Sequence, residues 1–307
     1  MAACLICLEP LGSSAEHHPR CLKGLFGAPR LPQVDVELGK LHTVGLAMVG
    51  RTTLSGVQRK VSLNLEGDRK TLQLALGRGR YILKPQASTY PALPENEHVT
   101  MRLASLAGIE TPPCGLLRLK DGTPAYIVAR FDRTPEGRKL PLEDFCQLAE
   151  KPAKEKYDGS AELCARLVRR FATEPLVELL KLYRLMVFAW WTGNGDMHLK
   201  NFSLLGGEDG IQRLAPAYDQ LSTRLVIPED DLALPVVGKK SRLSRASWLE
   251  YAAYCGLPER AAARVLAEVA GALDQASALV ASSLLGASMV EAYRELLRDR
   301  ARLLAAG

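Results

Sequence analysis

The sequence predicts an α+β fold in which a sheet-rich first part gives way to a helical second part. Between residues 61 and 131, short apolar runs alternate with glycine-bearing or charged turns, the signature of half-buried strands. From Leu140 onward the apolar residues recur at helical spacing in segments of about ten residues or more. No internal repeat or long low-complexity tract interrupts either part, so a mixed sheet layer followed by helices is the expected plan. At 307 residues the chain can bury two cores or one large one.

The first 27 residues stand apart. Cys4 and Cys7 form a Cys-x-x-Cys pair, and His18 and Cys21 follow in His-Pro-Arg-Cys. Three thiolates and an imidazole suit a tetrahedral structural zinc, which would fold a segment poor in apolar residues. A plain strand and turn at Cys7–Leu11 is the alternative, and His17 competes with His18 as ligand. Residues 28–139 read as the sheet-rich unit. Pro29 and Pro32 lead in, and strands are expected at Val61–Leu65, Thr71–Leu76 and Tyr81–Leu83. A helix follows over Asn96–Ala107, with Val99, Leu103 and Leu106 on one face and Gly108 ending it. Leu116–Lys120 and Ala125–Phe131 form a hairpin around Lys120-Asp121-Gly122-Thr123. Residues 140–307 read as helices at Glu143–Glu150, Ser160–Phe171, Leu176–Trp191, Ala261–Leu285 and Met289–Ala306. One strand pair, Phe202–Leu205 and Leu214–Ala217, flanks Gly206-Gly207.

Gly193-Asn194-Gly195-Asp196-Met197-His198-Leu199-Lys200-Asn201 carries the most chemistry. An aspartate stands five residues before an asparagine, just after an apolar helix, and Asp219 follows 18 residues later. Phosphoryl transfer asks for this set: one carboxylate to orient and deprotonate a hydroxyl, then an amide oxygen and a second carboxylate to hold magnesium against ATP. Taken alone, the stretch also reads as an ordinary Gly/Asn/Asp turn. Upstream, Tyr81-Ile82-Leu83-Lys84 is a short strand ending in a lysine that can reach ATP phosphates, or that can simply guard a sheet edge. Glu97, chosen over Glu95, stands in the first turn of the next helix, where a carboxylate can fix that ammonium or merely complement the helix dipole. The strand ending at Arg130-Phe131 would supply a hinge whose backbone meets the adenine, while Asp132 is either part of it or an ion-pair partner of an adjacent arginine. Lysine, glutamate, the Asp…Asn loop and the metal aspartate occur in that order, which is less readily accidental than any one of them.

The chain resembles the HipA-type serine/threonine kinases, the toxins of bacterial toxin–antitoxin systems, and especially their shorter HipT-like branch. The matching pieces are Thr53-Leu54-Ser55-Gly56-Val57-Gln58-Arg59-Lys60, Tyr81-Ile82-Leu83-Lys84-Pro85, Asn96-Glu97, Ala129-Arg130-Phe131-Asp132-Arg133, Glu143-Asp144-Phe145-Cys146-Gln147, Lys156-Tyr157, Gly193–Asn201 and Tyr218-Asp219. They span residues 50–225 in family order. The resemblance implies a two-lobed protein-kinase-like fold with ATP between a sheet-rich and a helical lobe. It implies Asp196 as catalytic base, Asn201 and Asp219 as magnesium ligands, Lys84 as the phosphate lysine, and His198 and Lys200 as phosphate support. Thr53–Lys60 would be the phosphate-covering loop, binding through Ser55, Gly56, Val57, Gln58 and Lys60 and carrying regulatory autophosphorylation on Ser55 or Thr53. Thr53 departs from the family's usual serine. A protein substrate is implied, typically an aminoacyl-tRNA synthetase whose phosphorylation stops translation, together with a cognate antitoxin subunit.

On residue patterns alone the loop at 53–60 has one glycine and matches neither a kinase glycine-rich loop nor a Walker A sequence. Its hydroxyls with Arg59 and Lys60 can still hold phosphate. A phosphate on Ser55 would add about 1.5 to 2 negative charges beside those of ATP, so the expected effect is inactivation. The net charge of +6 can attract acidic partners without demanding nucleic acid, and no direct nucleic-acid contact is expected. Charged residues Glu178, Lys181 and Arg184 interrupt the most apolar helix, so no membrane span is expected. With no targeting segment in view, the expected location is cytoplasmic, where seven cysteines would stay reduced.

Overall fold

The computed structural model describes residues 2–12, 15–34, 60–67, 70–75, 79–134 and 136–306. Helix α1 (Pro19–Phe26) and strand β1 (Gln33–Val34) precede strands β2 (Val61–Leu65), β3 (Thr71–Leu74) and β4 (Tyr81–Pro85). Helix α2 (Leu93–Leu106) and the hairpin β5 (Cys114–Arg118) and β6 (Pro124–Ala129) complete the first part. The six strands form one sheet in the order β1-β3-β2-β4-β6-β5, antiparallel except for the β1–β3 pair.

Strand pleating decides what faces the cleft. Alternate residues of a strand point to opposite faces. Thus Tyr81, Leu83, Ala125 and Ile127 enter a core with Leu22, Leu25 and Phe26 of α1, whereas Ile82, Lys84, Tyr126 and Val128 line a cavity on the other side. Lys84 sits directly across the ladder from Tyr126. Helix α2 packs on β5 and β6.

The remainder is mostly helical. Strand β7 (Leu142–Asp144) leads into a one-turn helix α3 (Phe145–Leu148), followed by α4 (Ala161–Phe171) and α5 (Pro175–Thr192). Strands β8 (Ser203–Gly206) and β9 (Gln212–Leu214) join β7 in a small antiparallel sheet. Four helices follow: α6 (Arg245–Tyr254), α7 (Glu259–Gly271), α8 (Leu273–Ala281) and α9 (Ala287–Ala305). Helix α5 is apolar almost all round and runs through a single large core, where Tyr183 and Trp190 pack against Trp248. This α+β plan, a sheet layer followed by a helical region, is the fold class expected from the sequence. No described helix is long and apolar enough to cross a membrane.

Several boundaries differ. The helix expected at Glu143–Glu150 is a strand followed by one helical turn. Asp144 ends the strand and caps the turn, its side chain accepting from Gln147 N–H while the Gln147 side chain accepts from Asp144 N–H. The single helix expected at Ala261–Leu285 breaks at Ala272, after Gly271, a weak helix former. Helix α2 begins at Leu93, three residues earlier than expected, because Pro94 in a first turn needs no donor. The strands β3, β4, β5, β6, β8 and β9 shift by up to three residues at their ends. Helix α1 was not foreseen, although Pro19 at its start and Gly27 in a left-handed conformation (φ 72°) are the usual punctuation.

Candidate active site

Lys84, Glu97 and Asp219 meet in a cavity of about 430 Å³ between the sheet and the helical part. Lys84 Nζ donates to Glu97 Oε1 at 2.5 Å and to Asp219 Oδ1 at 2.6 Å. Lys60 Nζ reaches the other oxygen of Asp219 at 3.0 Å. Glu95, by contrast, lies off the cavity, its buried Oε2 accepting no hydrogen bond among the described residues. Burial would push the Lys84 ammonium down, but the carboxylates of Asp219 and Glu97 override it and raise it above the usual lysine value. Burial likewise favours a protonated Asp219, and the Lys60 and Lys84 ammonium groups reverse that, holding its carboxyl well below the usual carboxylate range.

Helix α5 delivers the Asp196 loop. It ends at Gly193, in the left-handed conformation (φ 74°), where a Cβ would lie 2.7 Å from Leu296. A Cβ on Gly195 would collide with the Asp230 carboxylate at 2.1 Å, so the loop closes only with glycine there. Thr223 Oγ1 accepts from Gly195 N–H at 2.8 Å, and Asn194 Oδ1 accepts from Asp196 N–H at 3.1 Å. Asp196 is 7% exposed, and the Tyr157 hydroxyl donates to its Oδ1. Burial raises the Asp196 carboxyl, with the Tyr157 hydroxyl and Lys156 opposing. Asn201 Nδ2 donates to the Asp196 carbonyl at 2.9 Å, which leaves its Oδ1 as an acceptor on the cavity wall.

His198 also lines the cavity, with Nε2 4.0 Å from Asp196 Oδ1 and no hydrogen bond to either ring nitrogen among the described residues. Burial, then the nearby Lys156 charge, push it down to about 4, so it is neutral at pH 7. Lys200 is paired with Asp144 at 2.6 Å, on the cavity rim. Arg130 and Phe131 line the same space. Arg130 grips Asp132 through two hydrogen bonds of 2.8 and 2.7 Å, Arg133 adds a third of 2.7 Å, and Phe131 packs 5.6 Å from the Tyr218 ring. Of the two readings of Asp132, the structure has the ion pair. Thr53, Ser55, Gly56, Val57 and Gln58 lie outside the described residues.

Three supports stand in the pieces that resemble the family, but the sequence assigned them no role. Asn96, beside Glu97, clamps both backbone groups of Ser222, accepting from its N–H and donating to its carbonyl at 2.9 Å each. This ties α2 to the segment just after Asp219. Asn194 bridges the Asp196 loop to Gln220 at 3.4 Å. Tyr157 stood in the sequence next to Lys156 with nothing to indicate that its hydroxyl meets Asp196.

The donor set fits a magnesium nucleotide. Asp219 and Asn201 offer hard oxygen ligands on one wall, as Mg²⁺ prefers. The Lys84 and Lys60 ammonium groups stand beside them, where phosphate oxygens would find compensating charge.

A second cluster lies in the N-terminal segment, packed with α1 against the sheet. The ligand atoms of Cys4, Cys7, His18 and Cys21 all fall within 4.8 Å of one another, so the four could hold a metal ion. Cys7 Sγ is 3.3 Å from His18 Nδ1. His18, not His17, is the histidine that converges with the thiols, while His17 Nε2 donates to the Leu116 carbonyl at 3.0 Å. The other four cysteines are buried singly.

Residues 52–277 match the family model of the HipA-like C-terminal domain. A Sinorhizobium fredii protein named "Putative kinase Y4mE" is 36% identical over 181 residues, 56% of this chain and 43% of its own length. The chain thus spans under half of that relative. A Haemophilus influenzae protein named "Putative kinase" is 28% identical over 280 residues, 83% of this chain and 80% of its own. Among solved structures, a chain of the Shewanella oneidensis MR-1 toxin–antitoxin complex of HipA, HipB and operator DNA matches with a TM-score of 0.71 at 24% identity, over 83% of this chain and 66% of that one. That likeness establishes the fold. The chain belongs to the HipA-like C-terminal domain family.

Proposed function

We propose that this HipA-like chain is an ATP- and magnesium-dependent serine/threonine protein kinase acting as the toxin of a toxin–antitoxin pair in the cytoplasm. The observation that carries the reading is the Lys84–Glu97 pair, buried on one wall of a cleft whose other wall presents Asp219, Asn201 and the Asp196 loop. Magnesium bound by Asn201 and Asp219 would supply charge neutralisation to the phosphates. Lys84 binds and orients phosphate oxygens, and Glu97 holds its ammonium in place. Asp196, buried and steered by Tyr157, accepts the proton of the attacking hydroxyl. His198, neutral, offers one ring N–H to phosphate or substrate, and Arg130 and Phe131 border the adenine side. Lys200 reaches phosphate by leaving Asp144. The loop bearing Thr53, Ser55, Gly56, Val57, Gln58 and Lys60 covers the phosphates, and a phosphate on Ser55 or Thr53 would repel them.

The substrate we propose is a protein, an aminoacyl-tRNA synthetase being the class that the family resemblance supports. A cognate antitoxin is proposed as partner by analogy with the Shewanella complex of HipA and HipB. The Cys4, Cys7, His18 and Cys21 cluster is proposed to hold a structural Zn²⁺, the thiolate-rich donor set favouring that ion. Incubation of the chain with γ-labelled ATP, magnesium and a bacterial lysate tests the proposal. Label should enter the chain and a synthetase-sized protein, and Asp196→Asn should abolish both. Label confined to small molecules would overturn the protein-kinase reading in favour of a small-molecule phosphotransferase.

A further inference from the structure

The metal cluster is not an appendage. The two residues between Cys4 and Cys7 are fastened to the kinase-like sheet and to helix α2 by their carbonyls. Leu5 O accepts from Leu116 N–H at 2.7 Å, on β5, an edge strand of the sheet. Ile6 O accepts from His98 Nε2 at 3.0 Å, and His98 is the residue after Glu97. From the other ligand-bearing segment, His17 donates to the Leu116 carbonyl at 3.0 Å. Apolar packing follows the same path, for Leu5 shares a small buried cluster with Met101 of α2 and with Cys114, Leu116 and Tyr126. Gly115 is shaped to this contact. A Cβ there would stand 2.6 Å from Ile6 Cγ1, so only glycine lets the Cys4–Cys7 segment lie on the strand.

We propose that the metal ion held by Cys4, Cys7, His18 and Cys21 positions helix α2, and with it Glu97, through the hydrogen bond from His98 to the Ile6 carbonyl. Two ligands three residues apart fix the intervening peptide planes, so the Ile6 carbonyl is presented at no further entropic cost. Without the ion the segment keeps its apolar seat through Leu5, Ile6 and Leu8, which packs side chains but does not fix the direction of the Ile6 carbonyl. His98, 1% exposed, would then carry a buried imidazole N–H without an acceptor, and α2 would relax to satisfy it. His98 is a positioning residue here. It touches no reacting atom.

The link to activity rests on the kinase reading, whereas the structural coupling does not, and hydrogen exchange separates the two. Exchange is measured on the full chain, zinc-loaded and after chelation, for the parent, His98→Leu and His98→Gln, with zinc stoichiometry determined for each. Expected are one zinc per chain in all three and α2 amides that exchange roughly three- to tenfold faster in His98→Leu, the worth of one buried hydrogen bond. His98→Gln, whose Nε2 can replace the imidazole donor, should restore parental protection. Chelation should loosen α2 in the parent and add much less in His98→Leu, as for two changes on one path. Amides of α5 should report no change from either substitution. In an active kinase, the same loosening should raise KM for ATP more than it lowers kcat, because Glu97 anchors a phosphate-binding lysine. The coupling is overturned by a parent that binds no zinc, by α2 exchange indifferent to zinc, or by His98→Leu and His98→Gln behaving alike. Intact coupling in a chain that transfers no phosphate would instead overturn the kinase reading alone.

Discussion

Asp219 lines the cleft, Asp196 stands on the loop that borders it, and their surroundings drive the two in opposite directions. Both Asp219 and Asp196 are pushed up by burial, but Asp219 has an ammonium on each carboxylate oxygen and ends well below the ordinary aspartate value. Asp196 has the Tyr157 hydroxyl and only the more distant charge of Lys156, and it remains raised. Where neighbouring carboxylates are separated in this way, the depressed one is suited to hold cations and the raised one to move protons. The difference supports the proposed roles without reference to any relative. It also carries a sign for stability. A carboxyl with a depressed folded pKa stabilises above its unfolded value near 3.9, and that contribution disappears only as pH falls through the folded value. One with a raised folded pKa destabilises at neutral pH, a cost that vanishes below the unfolded value.

The largest expected effect is on turnover. Asp196→Asn should lower kcat by roughly two to four orders of magnitude, the range for removal of a positioned general base. The same variant should melt at a higher temperature than the parent at pH 7, because an uncharged amide replaces a buried carboxylate held without a close cation. Phosphotransfer by single-turnover assay and melting by calorimetry would check the two halves. An active variant, or one that melts lower, breaks the contrast.

Next in size is the opposite wall. Lys84 and Glu97 side chains are 5% and 2% exposed, so Lys84→Met strands a buried carboxylate and should cost about 3–5 kcal/mol by denaturant unfolding. Asp219→Asn should be milder, roughly 1.5–3 kcal/mol, since Lys84 keeps Glu97 and only charge-assisted hydrogen bonds are lost. It should destabilise where Asp196→Asn stabilises, and it should weaken magnesium-dependent nucleotide binding measured by calorimetric titration. Equal signs for the two aspartates would show that their environments do not differ as described.

The sequence named Lys84, Glu97, Asp196, Asn201 and Asp219 from order and spacing, since each sits in a local pattern of strand, helix start or loop. Their supports, Asn96 and Tyr157 among them, lie in the same pieces, but nothing local states what they hold. Asn96 finds Ser222 across 126 residues, and Tyr157 finds Asp196 across 39. The same reason explains the false helix at Glu143–Glu150. Leu142–Asp144 is a strand because β8, some 60 residues later, supplies its partner. The choice between His17 and His18 was open for lack of the Leu116 carbonyl, 99 residues from His17. Lys200 was expected beside phosphates, yet Asp144, which the sequence offered only within the Glu143–Gln147 piece and with no role, holds it in the structure. The fold class needed no such partners, for strand and helix periods are local properties.

The smallest expected effect is the sharpest reading of Asp196. Tyr157→Phe removes the hydroxyl that holds the Asp196 carboxylate and leaves the ring that packs edge-on, 5.1 Å from His198. Burial still raises the carboxyl, and its main opposing influence is gone, so the folded pKa must rise further. A base has to be ionised to accept a proton, hence the acidic limb of kcat/KM against pH should move to higher pH. At the alkaline plateau the loss should be modest, because Asp196 is fully ionised there and only its orientation has loosened. His198 does not confuse the measurement, since it is pushed down to about 4 and stays neutral above pH 5. Lys156, Asp219 and Asp230 also act on Asp196 and are unaltered by the substitution. A limb that stays in place while the plateau falls would make Tyr157 an orienting group alone, and one that shifts to lower pH would contradict the hydrogen bond itself.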